Sequence, residues 1–364
     1  MASQDHTSHR AQGDELRRFI RQILHRVGLP ASDADTVGSL MAEADLQGSD
    51  GHGVIRLPQY VQRIESGGIN RHPDIRVVQE RAAMAVVDGD NGMGHLVVSR
   101  AVRLAIDKAR EAGVAWVGTR HSNHAGPASL YARMPLAHDM IGLYFAVGNA
   151  NHLPPWGGMD MLLSTNPIAA GIPAGDEPPV VLDMATTVAA YGKVKAKAKR
   201  GEPMPEGWMV DRQGRPLTDP NRAHEGFLMP IGGHKGYGLA LIVGLLAGTL
   251  QGAAMGREVV DFNADHVTPT NTGQAILVID LAAFGGAAPF KSAVDTLVRD
   301  IRGGERLPGV ERIWLPGEQS HGKREAYERE GAPLPDALLQ DLDRLAERLG
   351  VEPLRRAQPE PVGA

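Results

Sequence analysis

Ala83-Met84-Ala85-Val86-Val87-Asp88-Gly89-Asp90-Asn91-Gly92-Met93-Gly94 runs from a short apolar stretch into a glycine-rich turn, which opens onto a helical pattern over His95 to Ala112. Strand, glycine turn and helix in that order are the ingredients of a dinucleotide-binding fold, so the glycine spacing decides the matter. Here the order is G-x-x-G-x-G, not G-x-G-x-x-G. Asp107 and Glu111 fall inside the helix instead of ending a second strand about 20 residues on. A Rossmann site is therefore not expected. A P-loop is missing too, because Gly233-His234-Lys235-Gly236 lacks both its spacing and the Ser or Thr after lysine.

Working outward, Val114 to Val117, Ile141 to Val147, Ile168 to Ile172, Val180 to Leu182 and Ala275 to Asp280 are further apolar runs that read as strands. Helices are expected over Gly126 to Ala137, Thr186 to Lys199, Lys235 to Leu250 and Ala293 to Arg302. The start of the chain is helical: Leu16, Phe19, Ile20, Ile23, Leu24 and Val27 form one stripe that stops at Gly28-Leu29-Pro30. A second helix, with Ser32 as its cap, carries Val37, Leu40, Met41 and Ala44. Leu338, Leu339, Leu342, Leu345 and Leu349 mark a last helix from Leu334 to Leu349, and a frayed tail is expected after Arg355. The class is α/β, with residues 1–75 and about 290–364 expected to pack as one helical lobe around an α/β region over 76–289.

At 364 residues the chain can bury a large core, and a formal net charge of -5 offers no general field for nucleic acid. The basic run Lys193, Lys195, Lys197, Lys199 and Arg200 alternates with alanine and reads as a solvated helix. There is no cysteine, which removes disulfides and thiolate chemistry. The polar start MASQDHTSHRAQGDE has no secretory pattern, and the apolar run Leu239 to Leu250 is short of the roughly 20 residues a membrane span needs. A cytoplasmic protein without membrane or nucleic-acid partners is expected.

Gly51-His52-Gly53 stands one helical turn before Arg56, and Val54, Leu57, Val61 and Ile64 predict a helix from Val54 to Ser66 that places positions 52 and 56 on one face. An imidazole exchanges protons near neutral pH, and a guanidinium grips a carboxylate with two prongs. His121-Ser122-Asn123-His124 sits where a strand ends and a helix starts, a place where backbone N–H groups meet anions. Two histidines three apart also suit a metal, with His152 as a third ligand in a hydrolase or lyase reading, although no H-E-x-x-H frame is present. Ser164-Thr165-Asn166-Pro167 and Leu182-Asp183-Met184-Ala185-Thr186 are polar knots at strand ends, and Asp183 is a candidate cap for a helix starting at Thr186. Gly232 to Gly238 opens an apolar helix with glycines that admit a ligand to the backbone. Trp156, Met159 and the Pro154-Pro155 turn are candidates for a pocket wall.

Taken in order, these segments resemble the malate/L-lactate dehydrogenase family, which also includes sulfolactate, ureidoglycolate and diketogulonate oxidoreductases and cyclic-imine reductases. The resemblance runs from about Asp45 to about Glu318. Its carriers are Ala44-Asp45-Leu46, Gly51-His52-Gly53-Val54 with Arg56-Leu57, Ser122-Asn123-His124, Thr165-Asn166-Pro167-Ile168, Leu182 to Thr186 with Gly192-Lys193, Gly233 to Gly238, and Leu315-Pro316-Gly317-Glu318. It implies a sulfolactate-dehydrogenase-like fold unrelated to the Rossmann arrangement, with a mixed, largely antiparallel sheet. It also implies an NAD or NADP cofactor, a small 2-oxo or 2-hydroxy acid substrate, and a homodimer. By position His52 matches the family's proton donor, His124 a histidine that some members use as proton acceptor, and Arg56 the carboxylate binder. Thr165 and Lys193 match substrate contacts. His121, Ser122, Asn123 and His124, Asp183, Met184, Ala185 and Thr186, His234, Lys235 and Gly236, and Pro316, Gly317 and Glu318 match segments that line the cofactor. No resident metal is implied. Two positions depart: Gly51 stands where many members carry Ser, and Lys193 where cyclic-imine reductases carry an acid.

Overall fold

The computed structural model describes residues 9–354, so the tail expected to fray after Arg355 lies outside the described residues. The strands are β1 (His9–Ala11), β2 (Arg76–Arg81), β3 (Met84–Asp88), β4 (Val114–Ser122), β5 (Met140–Ala146), β6 (Ile168–Ile172), β7 (Val180–Met184), β8 (Met209–Asp211), β9 (Gly226–Leu228), β10 (Thr272–Asp280) and β11 (Ala332–Leu334). The helices are α1 (Gly13–Arg26), α2 (Ala31–Leu46), α3 (Leu57–Glu65), α4 (Gly94–Ala112), α5 (Ser129–Arg133), α6 (Tyr191–Arg200), α7 (His234–Ala247), α8 (Ala287–Gly303), α9 (Glu318–Glu330) and α10 (Asp336–Leu349).

A seven-stranded mixed sheet in the order β2-β3-β4-β10-β5-β6-β7 carries the fold. Only β3 and β4 run parallel, joined across α4; every other neighbouring pair in this sheet is antiparallel. The opening stretch is thus a strand–turn–helix–strand unit, yet its turn is filled by protein. A Cβ at Gly89 would lie 2.8 Å from the His121 carbonyl oxygen, and one at Gly92 would lie 2.8 Å from the Pro73 ring. These glycines exist for packing within the chain and leave no room for a pyrophosphate.

Strand β10 comes late in the chain but lies at the sheet's centre, paired on one side with β4 and on the other with β5. Val117 of β4 packs with Val97, Ala101 and Val102 of α4, whereas a Cβ on its neighbour Gly118 would meet the Gln251 side chain just past α7. Successive strand residues point to opposite faces, so α4 and the end of α7 cover opposite sides of the sheet. Away from the sheet, Leu16, Phe19 and Ile20 of α1, Val37 and Met41 of α2 and Val61 of α3 share one apolar cluster with Leu339 and Leu342 of α10. The β1–β11 pair ties the two chain ends together as well.

Several sequence expectations shift. The cap of α2 is Pro30, and Ser32 lies in the helix's first turn. The helix expected from Val54 opens as a 3-10 turn over Val54–Arg56 before α3 proper. That expected from Thr186 begins at Tyr191, and that expected over Gly126 to Ala137 is α5 followed by a 3-10 turn at Met134–His138. Strands β1, β2, β8, β9 and β11 and helix α9 were not anticipated. They lack apolar period: every residue of β2 is exposed, and α9 reads EQSHGKREAYERE.

Candidate active site

Chain leaving β4 is held by a buried polar network. Asn123 donates from Nδ2 to the carbonyls of Asn91 (3.1 Å) and Gly92 (3.0 Å) and to the Asn91 side-chain oxygen (2.9 Å), while its own Oδ1 accepts from Thr270 at 3.1 Å. Gln274 donates to the Asn123 carbonyl at 2.9 Å. Asn123 therefore fastens the 88–94 turn to Thr270, just before β10, with its side chain, and Ser122 is buried beside it. The effect is to fix where His124 emerges. His121 goes elsewhere: in left-handed backbone (φ 47°), it is exposed and sets Nδ1 2.9 Å from Asp88 Oδ2.

His124 stacks on His52 with ring centroids 5.3 Å apart and planes 16° from parallel. The Tyr60 hydroxyl lies 2.5 Å from His124 Nδ1, Phe262 packs 5.5 Å from the same ring, and His95 meets Tyr60 edge-on at 5.5 Å. Burial, with the charge of Arg56 second, pushes the His52 imidazole down to about 4. Burial, then the charges of His52, Arg56 and His95, holds His124 well below the usual histidine range. Both rings are neutral at pH 7 while no anion is bound.

Arg56 reaches back from the 3-10 turn to the Gly51 carbonyl (Nε, 2.8 Å) and forward to Gln59 (2.9 Å) and Asn263 (3.2 Å). Its neighbours are neutral oxygens, and among the described residues it makes no ion pair. A partly buried guanidinium without a carboxylate partner is an anion site waiting for charge. Asn263 is carried by a loop that Arg63 secures. Arg63, fully buried, lies 4.7 Å over the Phe262 ring and donates to the carbonyls of Thr268 (2.7 Å), Gly68 (3.3 Å) and Asp265. Beneath the histidine turn, Asp45 accepts from the Val54 amide at 2.8 Å, and burial raises its carboxyl to about 8.

The sequence-selected residues divide accordingly. His52, Arg56 and His124 come together, His52 from the turn rather than from a shared helix face. Thr165 joins Thr186, whose amide and hydroxyl both donate to the Thr165 carbonyl at 2.9 Å, and Thr186 in turn accepts from the Ile231 amide just before α7. His234, Lys235 and Gly236 form the first turn of α7, with the Trp156 ring 6.2 Å from His234. Asp183 caps α5 through the Ser129 amide (2.8 Å) instead of a helix at Thr186. Met184 ends β7 and Ala185 follows it. Pro316 accepts from the Val181 amide (3.0 Å), Gly317 is left-handed at φ 85°, and Glu318 pairs with Arg302 (3.1 Å) and Arg312 (2.5 Å). Pro316 and Glu318 border a recess with Pro178, Val180, Val298 and Arg302. Lys193 is exposed on α6, where Lys197 is paired with Glu202.

The histidines proposed for metal diverge. His121 turns to Asp88, His124 to Tyr60, and His152 stacks on Tyr191 at 4.1 Å, so no group of three ligands forms among the described residues. Sequence reading missed Tyr60, His95 and Asn263. Tyr60 was findable at one helical turn from Arg56, but Asn263 reaches Arg56 across 207 positions of chain and gave no local signal.

Residues 11–343 match the family model described as malate/L-lactate dehydrogenase. The malate dehydrogenase of Pyrococcus horikoshii is 38% identical over 354 residues, covering 95% of this chain and 97% of that protein. A solved sulfolactate dehydrogenase from Methanocaldococcus jannaschii superposes with a TM-score of 0.88 at 36% identity, covering 94% of this chain and 98% of the other. A delta1-piperideine-2-carboxylate reductase from Pseudomonas syringae superposes with a TM-score of 0.81 at 31% identity, covering 93% and 99%.

Proposed function

The chain belongs to the malate/L-lactate dehydrogenase family, and from that premise we propose that it transfers a hydride between NAD(H) or NADP(H) and C2 of a small 2-oxo or 2-hydroxy acid. The observation that carries this reading is the unneutralised Arg56 beside two stacked, neutral histidines. The nicotinamide supplies or takes the hydride at C2. Arg56 holds the substrate carboxylate, which places the C2 oxygen over the imidazoles. That carboxylate also cancels the Arg56 charge that helps depress His52, so His52 gains proton affinity only once the acid is seated. It can then exchange a proton with the C2 oxygen. Thr165 and Lys193 are the further substrate contacts in this proposal.

The recess beside Pro316 and Glu318, with Arg302 at its edge, is assigned to the cofactor in this proposal. The Asp183–Thr186, His234–Gly236 and His121–His124 segments complete the proposed cofactor path. We extend the reading to a homodimer, supported by the outer face of α7, where Leu239, Ile242 and Leu245 are exposed and Lys235 is the helix's single Lys, Arg, Asp or Glu. The division into a helical lobe (1–75 with about 290–364) and an α/β region (76–289) belongs to the same proposal.

Purified protein assayed on a panel of 2-oxo acids and cyclic imines with NADH and with NADPH tests the reading. Loss of His52 should cost about 3–5 kcal/mol in barrier, since proton delivery contributes ~10²- to 10⁴-fold. Arg56→Lys keeps the charge but loses the planar fork, so KM should rise. Wild-type turnover by His52→Ala would remove His52 from the mechanism. Cyclic-imine reduction is the second reading, favoured by the likeness to the Pseudomonas reductase, and the imine arm of the panel decides it.

A further inference from the structure

A third side chain bears on which of the two stacked histidines takes the proton. Tyr60 is fully buried, and its hydroxyl, 2.5 Å from His124 Nδ1, has no other hydrogen-bond partner among the described residues. A phenol carries one proton and must donate it to something. Were His124 to carry its own proton on Nδ1 and donate to the Tyr60 oxygen, the buried phenolic O–H would have no acceptor.

We propose that Tyr60 is a positioning residue that locks neutral His124 into the tautomer with its proton on Nε2, leaving His52 as the group that accepts the substrate's proton. This rests on the function proposed above. Burial also holds the Tyr60 hydroxyl well above the usual phenol range, so it donates a hydrogen bond without giving up its proton, and it does not relay one. His124 is then a donor at Nε2 in the resting site and cannot accept there. His52 has no such partner: its Nδ1 is buried and bonded to no protein group among the described residues. In oxidation of a 2-hydroxy acid, the hydroxyl proton passes to His52 as the hydride leaves C2 for the oxidised nicotinamide. The His124 Nε2–H donates a hydrogen bond to the same oxygen throughout and keeps its proton. The acid ends as the 2-oxo acid and His52 as the imidazolium.

Long-range proton–nitrogen NMR spectra of protein labelled with ¹⁵N-histidine read the tautomer without any turnover, the His124 signals being identified by their loss in His124→Gln. The wild-type protein at neutral pH should show an unprotonated Nδ1 and a protonated Nε2 at His124. A protonated Nδ1 overturns the proposal, and this holds whether or not any Tyr60 variant folds. Tyr60→Phe keeps the ring against His95 and Phe262, and it should give a tautomer mixture with kcat for 2-hydroxy acid oxidation lower by roughly tenfold and KM little changed. An unaltered tautomer, or an altered tautomer with unaltered kcat, also overturns it. If the tautomer shifts as expected but neither protein oxidises any 2-hydroxy acid, the lock stands and the proposed function fails instead.

Discussion

His95, in the first turn of α4, has no exposed surface, and neither ring nitrogen bonds a protein group among the described residues. Burial, with the charge of His52 second, pushes it down to about 3 from an ordinary 6.5. A folded pKa below the unfolded one means that the unfolded chain binds the extra proton. Stability is therefore fully present above 6.5 and is lost as pH falls through the window down to about 3. At pH 5 the loss from this residue is about 2 kcal/mol relative to pH 7.5. His52 and His152, each lowered to about 4, act in the same direction. Asp45 acts oppositely: its carboxyl is raised from 3.8 to about 8, so its contribution is present below 3.8 and is lost as pH rises toward 8. Urea midpoints at pH 7.5 and pH 5 should show the acid loss in wild type. In His95→Leu that loss should shrink by about 2 kcal/mol. An equal loss in both proteins rules out a buried neutral His95.

At the scale of elements, the turn between α2 and α3 decides where His52 and Arg56 stand. Asp45, in the last turn of α2, fills the space a side chain at 53 would need: a Cβ on Gly53 would come within 1.9 Å of Asp45 Oδ1. Gly51 is different, with nothing within 4 Å of its Cβ position. Gly53→Ala should therefore destabilise by about 1–3 kcal/mol, the usual cost of overpacking. Gly51→Ser should stay within about 0.5 kcal/mol of wild type. Thermal melts of the two variants check the contrast, and equal melts would contradict the packing. The sequence marked the turn and the helix after it, because glycine spacing and a 3.6-residue period are local signals. It could not show that Gly53 is required by contact and Gly51 is not, since that depends on a carboxylate from the preceding helix.

For the whole molecule, α7 presents an apolar face that the described residues leave uncovered. Its inner residues Ala240, Val243 and Ala247 are buried, yet Leu239, Ile242 and Leu245 on the outside are 37%, 54% and 41% exposed. A helix that is apolar on all sides is ordinarily covered on all sides. Under the proposed homodimer, the second copy covers this face. Size-exclusion chromatography with light scattering should give a dimer for wild type and a monomer for the double variant Ile242→Glu, Leu245→Glu. A dimeric double variant would place the interface elsewhere, and a monomeric wild type would end the dimer reading.

By itself the sequence determined the α/β class, the rejection of a Rossmann turn and most strands of the main sheet. Each of these is written in spacing along the chain: apolar period and glycine order. Tertiary structure alone decided that β10 enters the sheet's centre, that Asn123 is consumed by packing, and that His121 turns away to Asp88. It also decided that Tyr60 and Asn263 reach the site at all. These depend on partners tens to hundreds of residues apart. Only closure of the chain, driven by burial of the apolar faces, brings such groups within hydrogen-bonding distance.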